Sequence, residues 1–217
     1  MNYNSMKSII VGAGTYGEVY LALLREVGVE IVGFLDDAPQ LKGQSVRGIS
    51  VLGSLEDLPD MKEKYGVEAV YCPLGNNKLR VSILKHALAL GYEIPNFIHK
   101  DVSISPNVLI GRGIYVLEGT HIMPYTKIEN FVMISMGVNI AHHSLLGEGT
   151  FLSTGVNFGA SIITHKYTYI GMGTTIMTGV HELGENCLIG AGAVVIKDVP
   201  KNAVVAGVPG KILKYRE

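Results

Sequence analysis

Ile122-Met123-Pro124-Tyr125-Thr126-Lys127-Ile128-Glu129-Asn130-Phe131-Val132-Met133-Ile134 decides the fold of half of this chain. Its isoleucines recur at every sixth residue, and Thr126 and Val132 stand four places after them. Extended both ways, the series runs Ile98, Ile104, Ile110, Val116, Ile122, Ile128, Ile134, Ile140, Leu146, Leu152, Phe158, Thr164, Ile170 and Ile176. Thr164 is its one polar member. The positions four later, from Val102 to Val180, are all β-branched except Ser144. A one-residue insertion near His181-Glu182 displaces the register, which resumes at Leu183, Ile189 and Val195.

Six is not a helical period and is too long for plain strand alternation. It fits a solenoid in which short strands end in turns and every sixth side chain points inward. Three such strands make a coil of eighteen residues, so residues eighteen apart stack at about 4.8 Å. Parallel strands in successive coils satisfy each other's backbone groups, and each coil buries its apolar face only against its neighbours. Residues 98–217 are therefore expected to form an all-β parallel β-helix with a C-terminal tail; the strict six-residue period resembles that of the left-handed parallel β-helices, a right-handed or irregular β-solenoid being the alternative.

Before Ile98 the pattern changes. Ser8 to Val11 reads as a buried strand, followed by Gly12-Ala13-Gly14-Thr15-Tyr16-Gly17 and an amphipathic helix to about Val27. A second strand, Glu30 to Leu35, ends at Asp36-Asp37; residues 68–74 read as a third, and Asn76 to Leu90 as a helix. Strands alternating with helices imply a small parallel α/β sheet, a Rossmann-like domain over residues 1–97. A glycine loop between a strand and a helix suits a phosphate-bearing ligand. Glycine permits close backbone approach, and the helix start offers N–H groups and a positive dipole end. Asp36, about twenty residues on, stands where an acid can bond a ribose or sugar hydroxyl. A domain this small lacks the second half of a two-part dinucleotide fold, which weighs against nicotinamide chemistry. A tight turn without a ligand is the bland alternative.

Net charge is −1 and the isoelectric point about 6.7, so nothing favours nucleic acid or an anionic membrane. Charged residues make up 17% and mean hydropathy is +0.30, which suits a solenoid core and a buried subunit interface. Cys72 and Cys187 lie far apart and form neither a metal cluster nor a disulfide framework. No apolar run is long enough to span a membrane and no signal peptide is recognisable, so a cytoplasmic protein is expected.

Of the histidines His86, His99, His121, His142, His143, His165 and His181, the pair His142-His143 stands out. It falls two and three places after Ile140, at a strand-to-turn edge. At a spacing of eighteen, Ala160 lies one coil above His142 and Pro124 one below, leaving room for a ligand. His165 is directed to another face. A shared metal would need convergent side chains, whereas neighbours on an extended strand point apart. A general base is the favoured reading of His142, because histidine titrates near neutrality. Ordinary surface histidines are the alternative.

With these motifs in place, the chain resembles the sugar acetyltransferases of the sialic-acid O-acetyltransferase type, especially the UDP-4-amino-sugar N-acetyltransferases. The resemblance rests on Gly12-Ala13-Gly14-Thr15-Tyr16-Gly17, Phe34-Leu35-Asp36-Asp37, Leu74-Gly75-Asn76-Asn77-Lys78-Leu79-Arg80 and Ile98-His99-Lys100. Met123-Pro124-Tyr125, His142 followed by Leu145-Leu146-Gly147, and Ala206-Gly207-Val208-Pro209-Gly210-Lys211 complete it. It implies a homotrimer with active sites between subunits, and acetyl-CoA as co-substrate with no metal. The reaction it implies is acetylation of a nucleotide-linked amino sugar for surface glycan or glycoprotein synthesis. O-acetylation of a sugar, and a trimeric nucleotide-sugar-binding protein without catalysis, are the alternatives. Gly12, Gly14, Thr15, Tyr16, Asp36, Asp37 and Gly75 match the nucleotide-sugar site. Phe151, Ala160, Met172, Ala191 and Lys211 match the acetyl-CoA groove. His142 matches the base, and the Ala160 N–H would serve the oxyanion. His143 replaces the acid that often follows the base in this family, and Phe151 replaces a polar residue near CoA.

Overall fold

The computed structural model describes residues 6–217, which divide at Pro95–Asn96 into two compact units. In the first, β1 (Ser8–Val11), β2 (Ile31–Leu35), β4 (Ile49–Gly53) and β5 (Ala69–Tyr71) form a parallel sheet in the order β4-β2-β1-β5. β3 (Ser45–Val46) adds an antiparallel edge to β4. The strands β1 and β5 are buried throughout, which is why they read as unbroken apolar runs rather than as alternation. Helix α1 (Thr15–Glu26) connects β1 to β2 and buries Tyr20, Leu21 and Leu24. Helix α3 (Asn77–Ala89) follows β5 and buries Val81, Ile83, Leu84 and Ala87; a short α2 (Met61–Tyr65) precedes β5. The β3–β4 hairpin and α2 were not expected. The hairpin turns on Arg47 and Gly48, both at positive φ, and its edge strand is too short and too exposed to show a period.

In the second unit each hexad folds into a two-residue strand that ends on the period residue, as in His121–Ile122, Lys127–Ile128 and Met133–Ile134. Each pairs in parallel with the strand eighteen residues on: Ile122 with Ile140, Ile128 with Leu146, Ile134 with Leu152. Three sheets of six, five and eight strands result, the last including the antiparallel pair Ala203–Ala206 and Lys211–Tyr215. This is the parallel β-helix expected from the period. The apolar period residues from Val116 to Val195 and their apolar partners four places later form one continuous core.

Two local features shape the surface. From Asn107 to Gly192 the residue three places after each period position is left-handed; Asn107, Tyr125, His143 and Ser161, with φ of 63°, 64°, 57° and 58°, make one column. The column runs along the corner between the six- and five-stranded sheets. Second, the inserted residue lies in the turn Met177–His181 on that same corner. From there the pairing interval is nineteen: Ile163 with Glu182, Thr164 with Leu183 and Thr175 with Val194. The polar lapse Thr164 is fully buried, yet its hydroxyl accepts from the Gly147 N–H and bonds the Thr150 hydroxyl, both at 2.9 Å. Burial without those partners would cost on the order of 1–3 kcal/mol.

Candidate active site

In the solenoid, the strand Asn139–Ile140 ends and the chain turns through Ala141, His142, His143 and Ser144. Ser144 is buried and its hydroxyl donates to the Gly159 carbonyl, which pins the turn from inside. Outside, both imidazoles are exposed. They do not point apart as extended neighbours would. The left-handed conformation at His143 folds its ring back, so that the two Nδ1 atoms lie 3.0 Å apart with ring planes at 89°. The Tyr125 ring, one coil below, lies 4.8 Å from the His143 ring. A direct Nδ1–Nδ1 hydrogen bond requires one ring to donate and the other to accept, which couples their tautomers.

His142 and Ala160 open onto one cleft of about 550 Å³, lined also by Met123, Ser161, Thr178 and His181. The Ser161 N–H donates to the His142 carbonyl at 2.9 Å, which confirms the stacking of Ala160's turn on His142's. The Ala160 N–H, however, is not directed into an empty site: it donates to Thr178 Oγ1 at 3.2 Å. Serving an oxyanion directly would first require that bond to break. A second hollow of about 370 Å³ shares Met123, Ala141 and Thr178 with this cleft and extends past His121, Asn139 and Asn157.

Met172 and Ala191 also stack, since the Gly192 N–H donates to the Met172 carbonyl and Ile170 pairs with Ile189. Val205 pairs with Ile189, and Ala206 with Lys211, so the Gly207–Lys211 turn belongs to the same corner. That corner is not the one that carries His142. Phe151, expected beside CoA, is 3% exposed, and its ring packs edge-on against Tyr169 at 5.2 Å. His165 is engaged elsewhere, 3.0 Å from Glu182. Among the described residues no group of three or more His, Cys, Asp or Glu is arranged to hold a metal ion.

In the first unit, the glycine loop lies at the carboxyl end of β1. Gly12 is at φ +97°, and an added Cβ would stand 2.6 Å from the Leu74 side chain. A Cβ on Gly17 would collide with the Gly12 carbonyl, so helix and loop can approach only without one. No side chain caps Gly14 at the start of α1, and a Cβ added at Gly14 or Gly75 would meet nothing within 4 Å. Thr15 and Tyr16 are exposed beside them. Asp36, expected to meet a sugar hydroxyl, serves the loop first: its two oxygens accept from the N–H groups of Ala13 and Ala38, each at 2.8 Å. Asp37 likewise accepts from the Leu55 N–H at 2.8 Å. The buried Arg80 donates to the Leu74 carbonyl at 2.6 Å and to Asn77 at 3.0 Å, bracing the turn that carries Gly75.

Sequence reasoning missed Thr178 and His181. Their signal was the break in the six-residue period, since the inserted turn is what lines the cleft.

A model of the PglD N-terminal domain matches residues 7–87. Over 94% of this chain and 95% of the relative, the sequence is 27% identical to a GDP-perosamine N-acetyltransferase of Escherichia coli O157:H7. The acetyltransferase domain of PglB from Neisseria gonorrhoeae superposes with a TM-score of 0.86 at 29% identity, covering 96% of this chain and all of that one. PerB of Caulobacter crescentus, solved with CoA and GDP-perosamine, gives 0.82 at 28%, covering 96% and 97%. Over nearly its whole length the chain is thus similar to hexapeptide-repeat sugar acetyltransferases. These matches extend over both units of the fold.

Proposed function

We propose that this sugar acetyltransferase moves the acetyl group of acetyl-CoA to the amine of a nucleotide-linked amino sugar, with His142 as general base. The observation that carries the assignment is the Nδ1–Nδ1 contact of His142 and His143 at the edge of the cleft. With the shared proton on His142 Nδ1, His143 accepts it and His142 Nε2 bears a lone pair. The amine nitrogen attacks the thioester carbon, its proton passes to His142 Nε2, and the carbon–sulfur bond breaks. The departing thiolate then takes that proton. As His142 becomes cationic, its Nδ1–H still donates to neutral His143, which orients and stabilises the imidazolium. His143 is thus the positioning residue that stands in for an acid. Holding both substrates together supplies much of the acceleration without a covalent enzyme intermediate.

Gly12, Gly14, Thr15, Tyr16 and Gly75 form the nucleotide-sugar site, with Asp36 and Asp37 setting the loop shapes. Met172, Ala191 and Lys211 contact acetyl-CoA. Because they occupy another corner than His142, a neighbouring copy completes the cleft, in a homotrimer. The exposed Leu109, Ile163, Met172 and Met177 give such a surface its apolar content. A solution mass of one chain would remove this part of the reading. Cys72 and Cys187 are in no disulfide, and burial pushes their thiols up to about 12 and about 11, in keeping with a reducing, cytoplasmic setting.

Thiol release from acetyl-CoA, measured with UDP-, GDP- and dTDP-linked 4-amino sugars, tests the reading and selects the nucleotide. His142→Ala, with its thermal unfolding unchanged, is expected to lower turnover by roughly 10²–10⁴. Undiminished turnover would remove His142 from the mechanism.

A further inference from the structure

The Ala160 N–H and the Thr178 hydroxyl form a two-step relay at the junction of the cleft and the neighbouring hollow. The N–H donates to Thr178 Oγ1, not to the cleft. Oγ1 has one proton to give and lone pairs to receive. With the Ala160 N–H supplying the hydrogen bond it accepts, its own proton is the polar hydrogen available to a ligand. Thr178 lines both hollows, together with Met123 and Ala141, and its side chain is exposed to them.

Its placement is built into the backbone. Gly159 packs so closely under the next coil that a Cβ would stand 2.6 Å from the Thr178 nitrogen. On the far side, the Asp198 carboxylate accepts from the His181 and Glu182 N–H groups, at 2.6 Å and 3.2 Å. The inserted turn is therefore held between a glycine below and an aspartate above. Thr178 keeps the eighteen-residue spacing to Ala160, and the extra residue follows it.

We infer that Thr178 is a catalytic residue: its hydroxyl, polarised by the Ala160 N–H, donates to the thioester carbonyl oxygen as His142 takes the proton from the attacking amine. The inference rests on the acetyl transfer proposed above. In the step, the amine nitrogen bonds to the carbonyl carbon and the π electron pair moves to oxygen. That oxygen receives a hydrogen bond, not a proton, from Thr178. When the carbon–sulfur bond breaks, the pair returns and the sulfur leaves with the electrons of its bond. A hydroxyl that already accepts a hydrogen bond is a better donor than an isolated one, because the two bonds polarise each other. Donors aimed at developing charge contribute to kcat rather than to substrate binding.

Thr178→Val keeps the shape and removes the proton, and it also releases the Ala160 N–H. The two candidate donors therefore give opposite results. If Thr178 is the donor, kcat falls by about 10²-fold, the KM for acetyl-CoA moves little, and Thr178→Ser restores most of the rate. If the Ala160 N–H is the donor, Thr178→Val holds or raises kcat, and the inference is overturned. A second readout needs no turnover: acetyl-CoA labelled with ¹³C at the carbonyl, bound to His142→Ala. Its carbonyl infrared band is expected below the solution frequency, and to return toward it in the His142→Ala, Thr178→Val double variant. Identical bands in both would also overturn the inference. Parent protein that releases no thiol with any amino sugar of the panel would overturn the acetyl-transfer reading and this step with it. An active parent with an inactive His142→Ala and a fully active Thr178→Val would overturn the Thr178 assignment alone.

Discussion

The glycine loop of the first unit and the histidine corner of the solenoid solve opposite problems. In the loop, side chains are spent on the backbone: Asp36 holds Ala13 and Ala38, Asp37 holds Leu55, and Arg80 braces Leu74. What remains exposed there is Gly14 with Thr15 and Tyr16, and Gly75 with Asn76. At the corner the reverse holds. Neighbouring coils hold the backbone through hydrogen bonds such as His143 N–H to Pro124 and Ser161 N–H to His142. The outward imidazoles of His142 and His143 are consequently left to carry reactivity. On the proposed function, a ligand of the loop is read by shape and by N–H groups, whereas the corner offers imidazole and hydroxyl for chemistry.

Gly17→Ala attacks the first half of that contrast and carries the largest expected effect. The added methyl meets the Gly12 carbonyl and must displace the loop. The KM for the nucleotide sugar should rise by about a hundredfold, while acetyl-CoA binding by calorimetry stays as in the parent. Loss of both together would show that the two regions are not independent. His143 probes the second half. His143→Phe keeps a ring beside Tyr125 but removes the Nδ1 partner, so kcat should drop about tenfold with little change in KM. His143→Glu should restore the rate near neutrality and move the acid limb of the pH–rate profile upward. A carboxylate favours the imidazolium, and the base is lost to protonation at a higher pH. An acid limb that stays in place would argue against the Nδ1 contact as the orienting bond.

The smallest effect concerns Asp198, whose two backbone hydrogen bonds hold its carboxyl below the ordinary carboxylate value. A group depressed on folding stabilises above its unfolded pKa and loses that contribution as pH falls through the folded value. The inserted turn should therefore loosen only in acid. Asp198→Ala should slow turnover a few-fold at neutral pH and flatten the acid dependence of amide exchange at His181 and Glu182. Unaltered exchange at those two amides would leave the turn held by something else.

The solenoid was legible because its information is local and repeated. A position such as Ile140 reports its own burial and, through the eighteen-residue spacing, its neighbours Ile122 and Phe158. The stacking of Ala160 over His142 and of Ala191 over Met172 followed from counting. The β3–β4 hairpin had no such support, because its pairings Ser45 with Ser50 and Val46 with Ile49 are short and partly exposed. At the site, what escaped was conformation rather than placement. His143 was legible as a neighbour of His142 but not as a left-handed residue that turns its ring back. The glycines three places after many period residues carried that signal, since they mark a column where positive φ is required. Phe151 reads as an outward strand residue, and only the packing of its ring on Tyr169 removes it from the surface. Nor could spacing alone show that Asp36 would be occupied by main-chain donors brought from either side.

The inserted residue in Met177–His181 has a wider implication for how such a protein can change. It lies in a turn between two strands: the strands on both sides keep their partners, and only the counting interval moves from eighteen to nineteen. The wall of the cleft can thus be lengthened or shortened by single residues while the core stays in register. New substrate preferences can arise there by small insertions and deletions, a kind of mutation that most enzyme cores would not survive.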